Sequence, residues 1–312
     1  MKPTRITSLL LCFLLLCALL TACRKTPTET TSSTETTSPP ETRPALFEGD
    51  TLKILAIGNS FSNDTTEYLY DVAQAEGLKN IVIGRLFFGS CSLERHLKNA
   101  NTDNPEYTYY KNTTGKWETT HNATILQSIQ DEDWDIITLQ QSSGKSGQPE
   151  TYGDYLNQLV AYVQEHKTNP NAKLVWHMTW AYQGDSTHTD FDNYDGDQMT
   201  MYNAILNTVN QQILPNENFV AVIPAGTAIQ NARTTFFGDN LTRDGYHLSV
   251  LGRLVASYTW YAVLTGVIPE TVHLEKTLTG ITLSEGMKSV IQESMTNAIR
   301  EPFAVTQSTL SI

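Results

Sequence analysis

The 312-residue chain carries 33 Asp and Glu against 21 Lys and Arg, a formal net charge of −12 at pH 7. Such an acidic balance argues against nucleic acid and other polyanions as partners and leaves a neutral ligand as the better fit. Four cysteines in a chain of this length are too few for a disulfide-built scaffold.

The first stretch has a charged start with Lys2 and Arg5, an apolar run from Leu9 to Leu20 that is short for a membrane span, and then Leu20-Thr21-Ala22-Cys23. This is the layout of a secretory signal ending at a small-residue cleavage site. The Leu-Thr-Ala-Cys run resembles a bacterial lipobox, which implies cleavage before Cys23, lipid on its sulfur and a membrane-anchored domain at the extracytoplasmic face. Loss of residues 1–22 removes Lys2 and Arg5, the only charged side chains there, and takes the net charge from −12 to −14. Cys12 and Cys17 leave as well, so Cys91 is the one thiol of the domain, and a small buried filler suits it better than a nucleophile. Residues 23–48 are mostly Thr, Ser, Pro and Glu, a composition that cannot offset its conformational entropy and predicts a disordered tether. The folded domain is expected over residues 49–312, a length that one α/β domain reaches.

Lys53-Ile54-Leu55-Ala56-Ile57 is a short apolar run that stops at Gly58-Asn59-Ser60, and the polar stretch after it opens a helix. A strand-turn-helix of this kind places Ser60 beside a helix N-terminus, where unpaired N–H groups favour developing negative charge. Capping an ordinary turn is the plain alternative for such a serine. Tyr68, Leu69, Val72, Ala73 and Ala75, ended by Gly77, predict an amphipathic helix, residues 81–87 a second strand and residues 92–100 a short helix. From Tyr107 to Thr119, aromatic and polar residues alternate about an Asn-Thr-Thr-Gly turn, which predicts a hairpin insertion at the C-terminal edge of the sheet, with Trp117 in a lid or wall. Residues 135–139 form a third predicted strand, running into Gln140-Gln141-Ser142-Ser143-Gly144, and residues 173–179 a fourth after a helix over 152–167. Trp180 and Tyr182 follow it, placed either to stack on a sugar ring or to fill the core. The acidic loop from Asp185 to Asp197 lacks calcium-loop spacing, and His177, His188 and His247 lack zinc-ligand spacing, so no metal or cofactor is expected. Helices over 199–214, 225–232 and 248–264, a fifth strand over 219–223 and a final helix over 283–299 complete the pattern. Five strands alternating with helices predict a doubly wound α/β fold, a flavodoxin-like three-layer sandwich with a five-stranded parallel sheet and a β-hairpin insertion.

Asp244-Gly245-Tyr246-His247 lies just ahead of the long apolar helix, and a carboxylate three residues before a histidine can hold its Nδ1–H in a single turn. Ser60, His247 and Asp244 thus supply nucleophile, general base and the acid that fixes the base's tautomer. The Gly-x-Ser after the first strand and the C-terminal Asp-x-x-His resemble the first and last blocks of the SGNH or GDSL hydrolases, more closely a lipoprotein branch of that superfamily. The resemblance implies that the backbone N–H groups of Ser60 and Gly89 bind an oxyanion, although a glycine at 89 also serves a plain loop turn. The usual third donor, an asparagine in Gly-x-Asn-Asp, is absent, and Gln140 or Gln141 offers a chemically equivalent amide. Asn59 replaces the usual Asp. The expected function is a serine esterase that removes acyl groups, O-acetyl above all, from carbohydrate at the cell surface. The alternatives are a lipid or lysophospholipid acyl hydrolase and a surface glycan-binding lipoprotein without catalysis.

Overall fold

Ile54, Leu55, Ala56 and Ile57 are fully buried, and the strand they belong to, β1 (Thr51–Gly58), is the central strand of the sheet. The computed structural model describes residues 43–310. The expected signal segment, Cys23 and most of the tether lie outside the described residues.

After β1 come α1 (Ser60–Thr66), α2 (Leu69–Ala75), β2 (Asn80–Phe87) and α3 (Leu93–Asn101). A hairpin of β3 (Tyr107–Asn112) and β4 (Trp117–Ala123) leads to α4 (Ile125–Gln130), β5 (Ile136–Leu139) and α5 (Gly153–His166). Then follow β6 (Lys173–His177), α6 (Gln198–Thr208), β7 (Phe219–Ile223), α7 (Ala225–Arg233), α8 (Val250–Thr265) and α9 (Glu285–Arg300). The strand order is β4-β3-β2-β1-β5-β6-β7. β2, β1, β5, β6 and β7 pair in parallel, and β3 and β4 add antiparallel. Helices flank the sheet in two groups, α1, α2, α7, α8 and α9 in one and α3, α4 and α5 in the other.

Two expectations are corrected here. The sheet has seven strands and is mixed, because the hairpin does not stand apart from it. β3 takes the free edge of β2, satisfying backbone groups that an unpaired edge would leave open, and its register matches Phe87 to Thr108 and Ile83 to Asn112. The hairpin turn therefore lies past Ile83, toward the N-terminal end of β2, rather than at the C-terminal edge. The second correction is the start of the domain. Residues 43–48, assigned to the tether, dock on the end of α8: Arg43 N–H donates to Gly266 O at 2.7 Å and Leu46 N–H to Leu264 O at 3.0 Å. Leu46 and Phe47 pack against the core, part of the Ala45-Leu46-Phe47 run in a stretch otherwise poor in apolar residues.

Two histidines are sealed in the interior. His96 stacks on Tyr107 with its Nδ1 2.9 Å from the phenol oxygen, and His177 Nδ1 lies 2.9 Å from Gln140 Oε1. Neither Nε2 has a partner among the described residues, and burial pushes both imidazoles down to about 3. In the unfolded chain they protonate near pH 6.5, roughly. From there down to about 3 the unfolded state holds protons that the folded state lacks, so stability falls as pH falls. Urea unfolding should lose roughly 3–4 kcal/mol between pH 7 and pH 5, two sites each losing up to about 1.4 kcal/mol per unit. A flat profile over that interval would show that these rings are not held neutral.

Candidate active site

The site is assembled at the C-terminal ends of β2, β1 and β5, three neighbouring strands. β1 ends at Gly58, where a Cβ would lie 2.2 Å from Ser62 Oγ and 3.0 Å from the Gln140 side chain, so only glycine fits. Asn59 then caps α1, its Oδ1 accepting from Phe61 N–H at 3.0 Å. The same Oδ1 accepts from Gln140 Nε2 at 2.8 Å, and Asn59 Nδ2 donates to Cys91 O at 3.2 Å. Asn59 therefore ties together the loops that follow all three strands, a role an aspartate could not fill toward the Cys91 carbonyl. Ser60 is the first residue of α1, half-buried, with a backbone N–H that has no intrahelical acceptor.

The base loop lies above it. His247 Nδ1 is 2.7 Å from Asp244 Oδ2, and the His247 backbone N–H donates to Asp244 Oδ1 at 2.8 Å. Burial pushes the Asp244 carboxyl up, but the hydrogen bonds from the His247 side chain and backbone outweigh it and hold the group below its ordinary value. The carboxylate thus keeps its charge and leaves His247 Nε2 free of any protein partner among the described residues. The His247 ring lies 6.0 Å from that of Phe61, the residue after Ser60. No hydrogen bond joins Ser60 to His247 in this structure; such contacts are often long before substrate binds.

A residue not singled out from the sequence joins the two halves. Asp64, one turn after Ser60 on α1 and 1% exposed, accepts from Leu248 N–H at 2.7 Å, Arg243 Nη1 at 3.0 Å and Arg253 Nε at 2.9 Å. Arg243 and Leu248 flank the Asp244–His247 segment, so one buried carboxylate holds that loop against α1. Its partners lie 179 to 189 residues away, and no local pattern signals such a contact.

The remaining expected site residues divide. Gly89 lies in the exposed turn after β2, the strand that pairs with β1, and its N–H has no protein acceptor among the described residues. Gln140 and Gln141 do not offer oxyanion donors. Gln140 gives its amide hydrogens to Asn59 Oδ1 and Gln141 O, while its oxygen accepts from Ser62 Oγ at 2.5 Å. Gln141 donates to Thr151 and accepts from Leu93 N–H and Ser142 N–H. Both glutamines are 1% exposed, and they knit loops together. Trp180 and Tyr182 are not stacking platforms either, since both are fully buried. Trp180 stacks on Phe61 at 4.1 Å and donates to Tyr246 O at 2.8 Å, which props the base loop from beneath. Tyr182 meets Ser143 Oγ at 2.8 Å and packs on Tyr246. Trp117 is covered by the Arg85 guanidinium at 4.0 Å, on the hairpin and away from the strand ends. Cys91 is buried with its thiol pushed up to about 12, as a filler rather than a nucleophile. Among the described residues no group of His, Cys, Asp and Glu could hold a metal ion, and no helix is long and apolar enough to cross a membrane.

The chain belongs to the DUF4886 family, a domain of unknown function whose family model matches residues 53–276. It is similar to the crystal structure of a DUF4886 family protein from Bacteroides uniformis, at 41% identity and a TM-score of 0.75, over 83% of this chain and 98% of that one. Weaker likenesses include Axe2, an acetylxylan esterase from Geobacillus stearothermophilus, at 12% identity and a TM-score of 0.44 over 70% of this chain and 95% of that one. Another is the acetyl xylan esterase AlAXEase, at 15% identity and a TM-score of 0.41 over 68% of this chain and the whole of that one. No protein of curated function matches the sequence.

Proposed function

We propose that this protein is an SGNH-type serine esterase, built on a flavodoxin-like three-layer fold, that removes small acyl groups, O-acetyl above all, from carbohydrate. The observation that carries the proposal is the Asp244–His247 pair, with Nε2 unengaged, fastened by Asp64 to the helix that begins at Ser60. Ser60 Oγ attacks the ester carbonyl as His247 Nε2 takes its proton, and Asp244 steadies the imidazolium. The N–H groups of Ser60 and Gly89 receive the oxyanion. The tetrahedral intermediate collapses, His247 returns the proton to the leaving alcohol, and water repeats the sequence on the acyl-enzyme. Lipid on Cys23 would keep the domain at the extracytoplasmic face.

The surroundings favour a short acyl group on a polar alcohol over a long chain. The loop after β5 is polar, whereas an apolar cavity of about 410 Å³ lies elsewhere, between Pro44, Leu214, Val263 and Phe303. The test is acetate release from a panel of acetylated polysaccharides, set beside long-chain esters, with fluorophosphonate labelling of Ser60 as an independent readout. Release of acetate with labelling at Ser60 is expected. Long-chain esters alone being cleaved would make the protein a lipid hydrolase. No turnover, no labelling and retained glycan binding would make it a binding protein.

A further inference from the structure

A polar cavity of about 260 Å³ opens between the loop after β2, the loop after β5 and the acidic loop after β6. Ser90, Ser142, Ser143, Lys145, His188 and Asp190 line it. β2 and β5 are the two neighbours of β1 in the sheet, so two of the three loops come from the strands on either side of the one that ends before Ser60. Ser90 follows Gly89 directly, and the His188 ring lies 4.6 Å from Tyr246, whose own ring lies 4.2 Å from His247.

Polar atoms facing this space are open to solvent and to a ligand. Ser142 is 8% exposed, yet its hydroxyl makes no hydrogen bond among the described residues. The same holds for the Asp190 carboxylate, Lys145 Nζ and the Ser90 hydroxyl. His188 Nδ1 accepts from Asp190 N–H at 3.1 Å, so its Nε2 carries the proton and has no acceptor. The carboxylate is held in place by shape: a Cβ on Gly144 would lie 2.0 Å from Asp190 Oδ2 and 2.4 Å from its Cβ. A side chain at position 144 would push Asp190 out of the cavity.

We propose that this cavity is the subsite for the alcohol half of the substrate and that its ligand is a single neutral sugar ring, held through neighbouring hydroxyls. The chemistry selects that class. Asp190 disfavours phosphate or carboxylate ligands, Lys145 disfavours cations, and a lining of hydroxyls and charges offers little to an alkyl chain. A sugar hydroxyl both donates and accepts, so one ring can satisfy Asp190, Lys145, Ser142 and His188 together. The volume lies below the roughly 300–1,000 Å³ of sites for drug-sized ligands, which suits one ring rather than an oligomer enclosed end to end. The role of this subsite in turnover rests on the esterase assignment above; the binding of sugar does not.

Two experiments on the full chain test it. In the first, saturation-transfer NMR follows unacetylated glucose, xylose, galactose and N-acetylglucosamine with the wild type, Asp190→Ala and Gly144→Ala, each checked for an intact melting transition. Saturable binding of at least one sugar by the wild type, weakened roughly tenfold or more in both variants, is expected, since charge-assisted hydrogen bonds are lost. In the second, kcat/KM is compared between mono-O-acetylglucose and 4-nitrophenyl acetate, whose alcohol half carries no hydroxyl. The ratio should fall about tenfold or more in both variants. Failure of every sugar to bind, binding that survives in both variants, or an unchanged ratio would overturn the subsite. Sugar binding lost in both variants, together with a complete lack of esterase activity, would uphold the subsite and remove the esterase assignment instead.

Discussion

Ser60→Ala should lower kcat for an acetyl ester by about four to six orders of magnitude while leaving the melting temperature near that of the wild type. The side chain is half-buried and makes no hydrogen bond among the described residues, so its loss costs little in stability. Its loss to the reaction is large because no neighbouring group can replace it: Ser62 Oγ is committed to Gln140, and the Cys91 thiol is buried and protonated. His247→Ala should cost about as much, and Asp244→Asn roughly 10⁴-fold, since the amide would hold the imidazole in the wrong tautomer. The Ser60→Ala/His247→Ala double variant should be no slower than either single variant, because nucleophile and base act as one unit. Rates measured by acetate release on purified variants decide the matter. A Ser60→Ala protein that keeps a tenth of wild-type turnover would place the chemistry elsewhere.

Asp64→Asn is the second large effect, and it acts through position. The residue touches neither substrate nor His247, yet it accepts from Leu248 N–H, Arg243 and Arg253 at once. An asparagine keeps one acceptor and loses the charge, leaving two guanidinium groups facing an amide. Arg243 and Arg253 are 42% and 25% exposed, so solvent recovers part of the loss, and the expected cost is about 2–3 kcal/mol rather than that of a fully buried pair. The larger consequence is for geometry. A base displaced by about 1 Å costs roughly a hundredfold in rate, so kcat should fall by about that factor at temperatures where the variant is still folded, with a smaller change in KM. Glutamate at the same place, longer by one methylene, should recover part of the charge but not the register of the loop. Urea unfolding and steady-state kinetics on one preparation separate the two effects, and wild-type kcat in a stably folded Asp64→Asn protein would show that the loop needs no such anchor.

Much of this was legible in the chain. Residues 53–57, 81–87 and 219–223 are apolar runs bounded by turn residues, and each is a strand at or within two residues of its expected ends. The Asp-x-x-His spacing was equally direct, since one turn of chain fixes the distance between the two side chains. What the sequence could not show were properties of partners rather than of the residues themselves. Trp180 and Tyr182 have the composition of a sugar platform, and only the arrival of Phe61 and Tyr246 from distant segments turns them into supports for a loop. Gln140 and Gln141 have the right functional group in the right strand loop, but Asn59, Ser62 and Thr151 have already claimed their hydrogens and lone pairs. The hairpin had a clear turn and no register signal, and register placed Trp117 beside Arg85 instead of over the site.

The docking of residues 43–46 on the end of α8 bears on how the domain is held. His247 precedes that helix by three residues, and its 16 residues span about 24 Å, so the point where the chain comes in and the proposed base lie at opposite ends of one rigid rod. A pull on the chain upstream of Arg43 is borne by the blunt end of the rod and by the hydrogen bonds to Leu264 and Gly266, not by the loop that carries the base. Grafting the protein through its N-terminal side onto a bead or a sensor chip therefore presents the mouth of the site outward, whereas coupling through surface groups of the 185–197 loop would press it against the support.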